Sequence, residues 1–219
     1  MSITTVFFDT SDTLYHNEEL ANAHSKQPIL QLAEVRNISF DQAKALFKET
    51  KAKLKETHDH VTKVAVMMEL GVSRMDMQEY IARIDAHDFL QPDERLKIML
   101  ESMSKHYTLG IITNVLEKVV LNVLEALAVP SGYFTHFVTV DNTSKSKPDP
   151  EPFQKALELA QCSPESCVYV ADSLTKDIIP AQNVGMKTVL ISHEPVDDTT
   201  NVDRVVQTVY ETEQAVKRL

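Results

Sequence analysis

The stretch TTVFFDTSDTLYHNEE, Thr4–Glu19, passes from four strand-forming residues (Thr5, Val6, Phe7, Phe8) straight into Asp9. β-Branched and aromatic residues suit a pleated, buried surface, and a short apolar run of this kind reads as one buried strand. An acid at the end of such a strand has two readings. It is a turn or cap residue, or it is a nucleophile. The stretch alone does not choose between them; the rest of the chain does.

Outward from it, the pattern is helical from about residue 17 to residue 105. Ser39 and Gln42 have the spacing of a capping box. Gly71 reads as a helix stop and Ser73 as the next start. Pro92, Asp93 and Glu94 suit the first turn of another helix. After His106 the rhythm changes to YTLGIIT (strand), LEKVVLNVLEAL (helix), FTHFVTV (strand), PEPFQKALELA (helix), SCVYVAD (strand), TKDIIPAQNV (helix) and MKTVLIS (strand). That alternation predicts an α/β fold with a doubly wound parallel sheet. The helical stretch is too long for a crossover and reads as an inserted, all-helical cap. The expected domains are 1–15 plus 97–219 for the α/β core and 16–96 for the cap.

A net charge of -10 argues against a nucleic-acid partner, which needs clustered Lys and Arg. It leaves room for a small phosphorylated ligand, which needs one or two local cations. No window approaches the ~18 apolar residues of a membrane span, and the N-terminus lacks the pattern of a signal peptide. Cys162 and Cys167, the only cysteines, are too few for a disulfide framework or a zinc site. A reduced, cytoplasmic setting is the expectation.

Ligands of open parallel sheets bind outside the carboxyl ends of the strands. Asp9 and Ser11 follow the first predicted strand, and Thr113 and Asn114 the second. The FVTV strand leads to DNTSKSKPDPEP with Lys145 and Lys147. Asp172, Ser173 and Asp177 follow CVYV. Each has an ordinary alternative: Asp9 and Asp172 as caps, Thr113 and Asn114 as turn residues, the lysines as solvated. The run VAVMM, Val64–Met68, reads as cap core without the need for a ligand, and His58 and His60 read as a solvated turn.

Taken together the set has the parts that phosphoryl transfer needs. A carboxylate attacks phosphorus, and a Mg²⁺ ion held by oxygens offsets its repulsion from the phosphate. Lysine and hydroxyl groups hold the equatorial oxygens. FFDTSDTLY, GIITN, KPDPEPF and VYVADSLTKDI resemble, in order and each after a strand, the four motifs of the haloacid dehalogenase-like hydrolase superfamily. The resemblance implies Asp9 as nucleophile, Thr113 (with Asn114 beside it) as phosphate-binding, and Lys147 as the charge-stabilising lysine. It implies a Mg²⁺ site made of Asp9, the Ser11 carbonyl, Asp172 and Asp177. DTLY and the segment ELGVSRMDMQEYIARIDAHDFLQPDERLKIML are similar to pyrimidine 5′-nucleotidase-like members, which points to a nucleoside monophosphate among small phosphorylated metabolites. The resemblance also implies that the cap excludes water and selects the substrate, with His16 and Asn17 at the hinge as candidates to touch it.

Ser11 departs from the family pattern, in which this position is an aspartate that protonates the leaving group and then activates water. A hydroxyl does not shuttle protons near neutral pH, and such help is worth ~10²–10⁴-fold. Three readings follow. The chain is a slow phosphatase favouring good leaving groups, a catalytically silent phosphate binder, or a 2-haloacid dehalogenase-like hydrolase. Asp172 and Asp177 weigh against the last, whose members generally lack the metal-binding pair. Asp12, one residue out of phase, is a further candidate for the missing acid.

Overall fold

β1 (Thr5–Phe8) is buried along its whole length and pairs in parallel on both sides. One neighbour is β2 (Thr108–Ile112), the other β4 (Cys167–Ala171). β3 (Phe134–Val138) extends the sheet beyond β2, and β5 (Lys187–Ile191) and β6 (Arg204–Val206) extend it beyond β4. The strand order is β3-β2-β1-β4-β5-β6, parallel throughout. The order reverses between β1 and β4, which makes the crevice above them the expected binding position. The structure is a computed structural model that describes residues 2–57, 61–194 and 201–219. His58 and His60 lie outside the described residues.

The central strands are apolar because helices cover both faces of a parallel sheet. The connections are α6 (Glu117–Ala126) from β2 to β3, α7 (Glu151–Ala160) from β3 to β4, and α8 (Ile179–Asn183) from β4 to β5. Each expected strand and connecting helix is present. The three-residue edge strand β6 was not expected: only Val206 of its residues is buried, so it carries no run of apolar residues to mark it. On one face Phe7, Phe153 and Tyr169 form part of a buried cluster, with the Phe153 and Tyr169 rings edge to face at 5.2 Å.

Gly110, in the middle of β2, marks a close approach. A Cβ there would lie 2.4 Å from Phe7 Cε1 and 3.2 Å from the His136 carbonyl oxygen. Phe7 is fully buried and has no room to yield. Gly110→Ala should therefore destabilise the chain by about 1–3 kcal/mol, the usual cost of overpacking. A urea melt would read this as a lower midpoint with an unchanged slope, and an unchanged midpoint would contradict the packing described.

The chain divides into two compact units, Met1–Asn17 with Ala86–Leu219, and Glu18–Asp85. The second division falls earlier than residue 96. The short turn Ala86–Asp88 belongs with the α/β unit, where the Ala86 N–H donates to Asn122 of α6 at 2.7 Å. α5 (Glu94–Ser104) follows, and Asp93 is its cap, accepting from the Leu96 N–H at 2.9 Å. Asp93 thus stands just outside the helix, and Pro92 before it.

The helical unit comprises α1 (Glu18–Arg36), α2 (Phe40–Lys55), α3 (Lys63–Glu69) and α4 (Arg74–Ile81). Ser39 and Gln42 form the expected reciprocal capping box on α2. Gly71 ends α3 at φ 83°, and Ser73 caps α4. Leu32, Ala43, Val66, Met67 and Met77 are among the residues of its core. The Gln31 amide ties α1 to α4 by donating to the Asp76 carbonyl at 2.9 Å.

Cys162 and Cys167 are joined in a disulfide, which departs from the reduced setting expected from the sequence. Gln161 adopts a left-handed conformation at the end of α7. That turn folds Cys162 back against the cluster that buries Cys167.

Candidate active site

β1, β2 and β4 carry their last residues to one rim. Asp9 continues the β1 ladder by donating its N–H to the Val170 carbonyl at 3.0 Å, and the Thr113 N–H does the same to Val138 at 2.9 Å. Both residues are thus fixed by backbone before their side chains take part in anything. Asp9, Ser11, Thr113, Asn114, Lys147, Asp172 and Asp177 all line one cavity of about 180 Å³. The structure therefore brings these seven residues together, whereas His16 and Asn17, the hinge candidates, line a different cavity. A larger cavity of about 570 Å³ in the same unit is lined by His16, Asn17, Arg95 and Tyr210 and shares only Asp12 with the first. Among the described residues it holds no paired carboxylate and lysine of the kind Asp9 and Lys147 form, so the smaller cavity is the candidate site.

Lys147 is the centre of the arrangement. Its side chain is 3% exposed, and Nζ lies 2.8 Å from Asp9 Oδ1 and 2.6 Å from Asp177 Oδ1. Nζ also donates to the Ile112 carbonyl at 3.0 Å and the Tyr169 hydroxyl at 2.7 Å. Burial disfavours its charge, but Asp9 and Asp177 together outweigh burial and raise its pKa. A buried lysine with two carboxylates stays an ammonium.

The loop that delivers Lys147 is held by Asn114. The Asn114 side chain accepts from the Lys147 N–H at 2.8 Å and donates to the Lys147 carbonyl at 3.0 Å. Its amide therefore grips protein backbone, where the sequence reading assigned it to substrate. Thr113 Oγ1 lies 3.0 Å from Thr10 Oγ1, a pair of buried hydroxyls beside Asp9.

The carboxylates of Asp9, Asp172 and Asp177 each place an oxygen within 4.8 Å of the others. Burial pushes the Asp9 carboxyl up, Lys147 pulls it down, and Asp177 adds to the rise; the net direction is up. Asp172 is raised to about 6 by burial first, and then by Asp9 and Asp177. Three acids so close together, with hard oxygen donors, fit a Mg²⁺ ion. Asp172 does not cap the turn after β4: Ser173 does, accepting from the Lys176 N–H at 3.3 Å, while Asp172 Oδ1 accepts from the Thr13 hydroxyl at 3.4 Å.

Ser11 and Asp12 have other partners. Ser11 Oγ lies 3.0 Å from the Tyr15 hydroxyl, and Asp12 Oδ1 lies 2.6 Å from His16 Nδ1. Asp12 sits at φ 59°, a left-handed conformation that suits glycine and that Asn and Asp tolerate better than other residues.

Tyr169 was missed in the sequence. It pairs in register with Phe7 of β1, so both project on the face that Asp9 shares two residues further on. A tyrosine among valines in a fully buried strand was the available signal, since a buried phenol seeks a polar partner. Its hydroxyl donates toward Asp177 Oδ1 at 2.9 Å and the Ile112 carbonyl at 3.2 Å. Burial, followed by the charges of Asp177 and Asp9, holds its pKa well above the usual value, so it is a neutral donor.

A fold with this strand order, carrying an acid after β1, an acid pair after β4 and a lysine between, defines a class of hydrolase. The model of the haloacid dehalogenase-like hydrolase family matches residues 6–191, and the chain belongs to that family. It is similar to pyrophosphatase PpaX of Bacillus mycoides (strain KBAB4), at 39% identity over 92 residues, which is 42% of this chain and 42% of that one. The chain thus spans less than half of that relative's length in the match. It is 26% identical over 195 residues to the glyceraldehyde 3-phosphate phosphatase of Methanothermobacter thermautotrophicus, covering 86% of this chain and 85% of the relative. Among solved structures, a HAD phosphatase from Thermococcus onnurineus has a TM-score of 0.70 at 25% identity, over 97% of each chain. No helix among the described residues is long and apolar enough to cross a membrane.

Proposed function

We propose that the protein is a Mg²⁺-dependent phosphohydrolase acting on small phosphorylated metabolites through an aspartyl-phosphate on Asp9. The observation that carries this reading is the Asp9 carboxylate bonded to Lys147 and grouped with Asp172 and Asp177. Two similar proteins named as phosphatases or pyrophosphatases, and one such solved structure, support it.

Lys147 holds Asp9 Oδ1, which leaves the other oxygen to attack phosphorus. A P–O bond forms to Asp9 and the ester P–O bond breaks, releasing an alkoxide or phenoxide. Water then attacks the phosphorus of the acyl phosphate, releasing orthophosphate and restoring the Asp9 carboxylate. Bound Mg²⁺, held by Asp9, Asp172, Asp177 and the Ser11 carbonyl, supplies charge neutralisation and a template for the phosphoryl oxygens. Lys147, kept charged by its two carboxylates, stabilises the equatorial oxygens, and the Thr113 hydroxyl donates to one of them. Ser11 gives the leaving oxygen no proton, so esters of acidic alcohols turn over fastest. Nucleoside monophosphates are the first metabolites to try.

Removal of the metal tests the reading. Purified protein with Mg²⁺ should release orthophosphate from an aryl phosphate, lose this activity in EDTA, and regain it when Mg²⁺ is restored. Halide release from short 2-haloacids, unaffected by EDTA, would establish the dehalogenase reading instead. If neither the wild-type protein nor Ser11→Asp turns over any phosphate ester, the protein is a silent binder.

A further inference from the structure

The Lys147 ammonium has three N–H groups and four oxygens around it: Asp9 Oδ1, Asp177 Oδ1, the Ile112 carbonyl and the Tyr169 hydroxyl. The Tyr169 O–H in turn reaches two of the same acceptors, Asp177 Oδ1 and the Ile112 carbonyl. Four hydrogens therefore serve four oxygens. The ring itself needs no hydroxyl for its packing against Phe153, so core filling explains the ring and not the phenol.

A phosphoryl group on Asp9 adds a fifth oxygen that needs a donor. We propose that Tyr169 is a positioning residue whose hydroxyl lets Lys147 give N–H groups to Asp9 and to a phosphoryl oxygen at the same time. The inference rests on the reading of Asp9 as the nucleophile. Lys147 turns the N–H that pointed at the phenol oxygen onto the phosphoryl oxygen and keeps a second on Asp9. Its third N–H and the Tyr169 O–H then share the Ile112 carbonyl and Asp177, one each. Without the hydroxyl, the three N–H groups must serve four acceptors, and one of the two buried protein acceptors is left without a donor. An orphaned buried acceptor is expensive. At rest the same loss costs little, because three N–H groups suffice for Asp9, Asp177 and the Ile112 carbonyl.

Tyr169→Phe separates these states. With Mg²⁺ present, calorimetric titration with beryllofluoride should show a Kd about tenfold higher than wild type, or more. The kcat for an aryl phosphate should fall by a similar factor, with KM and the affinity for Mg²⁺ alone unchanged. A purely structural role would lower the melting temperature and leave this split absent. Wild-type affinity for beryllofluoride in Tyr169→Phe would overturn the proposal. If the wild-type protein itself failed to bind beryllofluoride with Mg²⁺, the nucleophile reading would fall first and the proposal with it. A second measurement does not depend on the variant's folding. In wild-type protein carrying ¹³Cζ-tyrosine, the Tyr169 resonance should shift when beryllofluoride joins Mg²⁺, and a resonance that stays still would equally overturn the proposal.

Discussion

Asp9→Asn is expected to lower the turnover of an aryl phosphate by about 10³-fold or more, the scale of losing a nucleophile that acts as one unit with its neighbours. An amide neither attacks phosphorus nor carries the charge that balances Lys147. The fold should survive, because Lys147 keeps Asp177, the Ile112 carbonyl and the Tyr169 hydroxyl. Two readouts should move together. Steady-state release of orthophosphate disappears, and the rise in melting temperature given to wild type by Mg²⁺ with beryllofluoride is lost. Retention of more than a few per cent of turnover in Asp9→Asn would place the nucleophile elsewhere.

Ser11→Asp is expected to act in the opposite direction. Restoring a carboxyl two residues after Asp9 should raise the turnover of alkyl phosphates by ~10²–10⁴-fold, the usual worth of general acid–base help. Aryl phosphates should gain far less, since a phenoxide leaves without a proton. Nearby Asp9, Asp12 and Asp172 would hold the new carboxyl's pKa up, as like charges do, which suits an acid. The Tyr15 hydroxyl, now 3.0 Å from Ser11 Oγ, can donate to it. The decisive quantity is the ratio of aryl to alkyl turnover, measured on both proteins. An unchanged ratio would mean that protonation of the leaving group does not limit this site, and that Ser11 does not account for any slowness.

The sequence made the fold legible because buried parallel strands announce themselves locally. Val6–Phe8, Leu109–Ile112 and Val168–Ala171 are continuous apolar runs, and each is followed by a polar residue at the rim. The capping residues Ser39 and Ser73 were legible for the same reason, since a cap bonds within its own first turn. β6 was not, because an edge strand with one buried residue has no local pattern to detect. Asp93 shows the limit at element ends. The residue type was right for a helix start, but only its bond to the Leu96 N–H distinguishes the cap from the first turn.

Within the site, residue types and their order were enough to nominate Asp9, Lys147, Asp172 and Asp177, since each follows a strand. Their partners were not legible. Nothing near Asn114 in the chain says that its amide holds the backbone of Lys147, which lies 33 residues away. The same holds for Tyr169, whose hydroxyl acts on groups from β2, the Lys147 loop and the turn after β4.

By itself, then, the sequence determined the parallel sheet, the helical insertion and the candidate acids, because these depend on spacing along one strand or helix. Only the tertiary structure decided that Asp9, Asp172 and Asp177 crowd together, that Lys147 is buried among them, and that Asp12 and Ser11 face His16 and Tyr15. Those outcomes depend on which strands are neighbours and on how hydrogen-bond donors are shared among groups far apart in the chain. Pairing across a sheet and the burial of charge are properties of the assembled fold, and no local run of residues carries them.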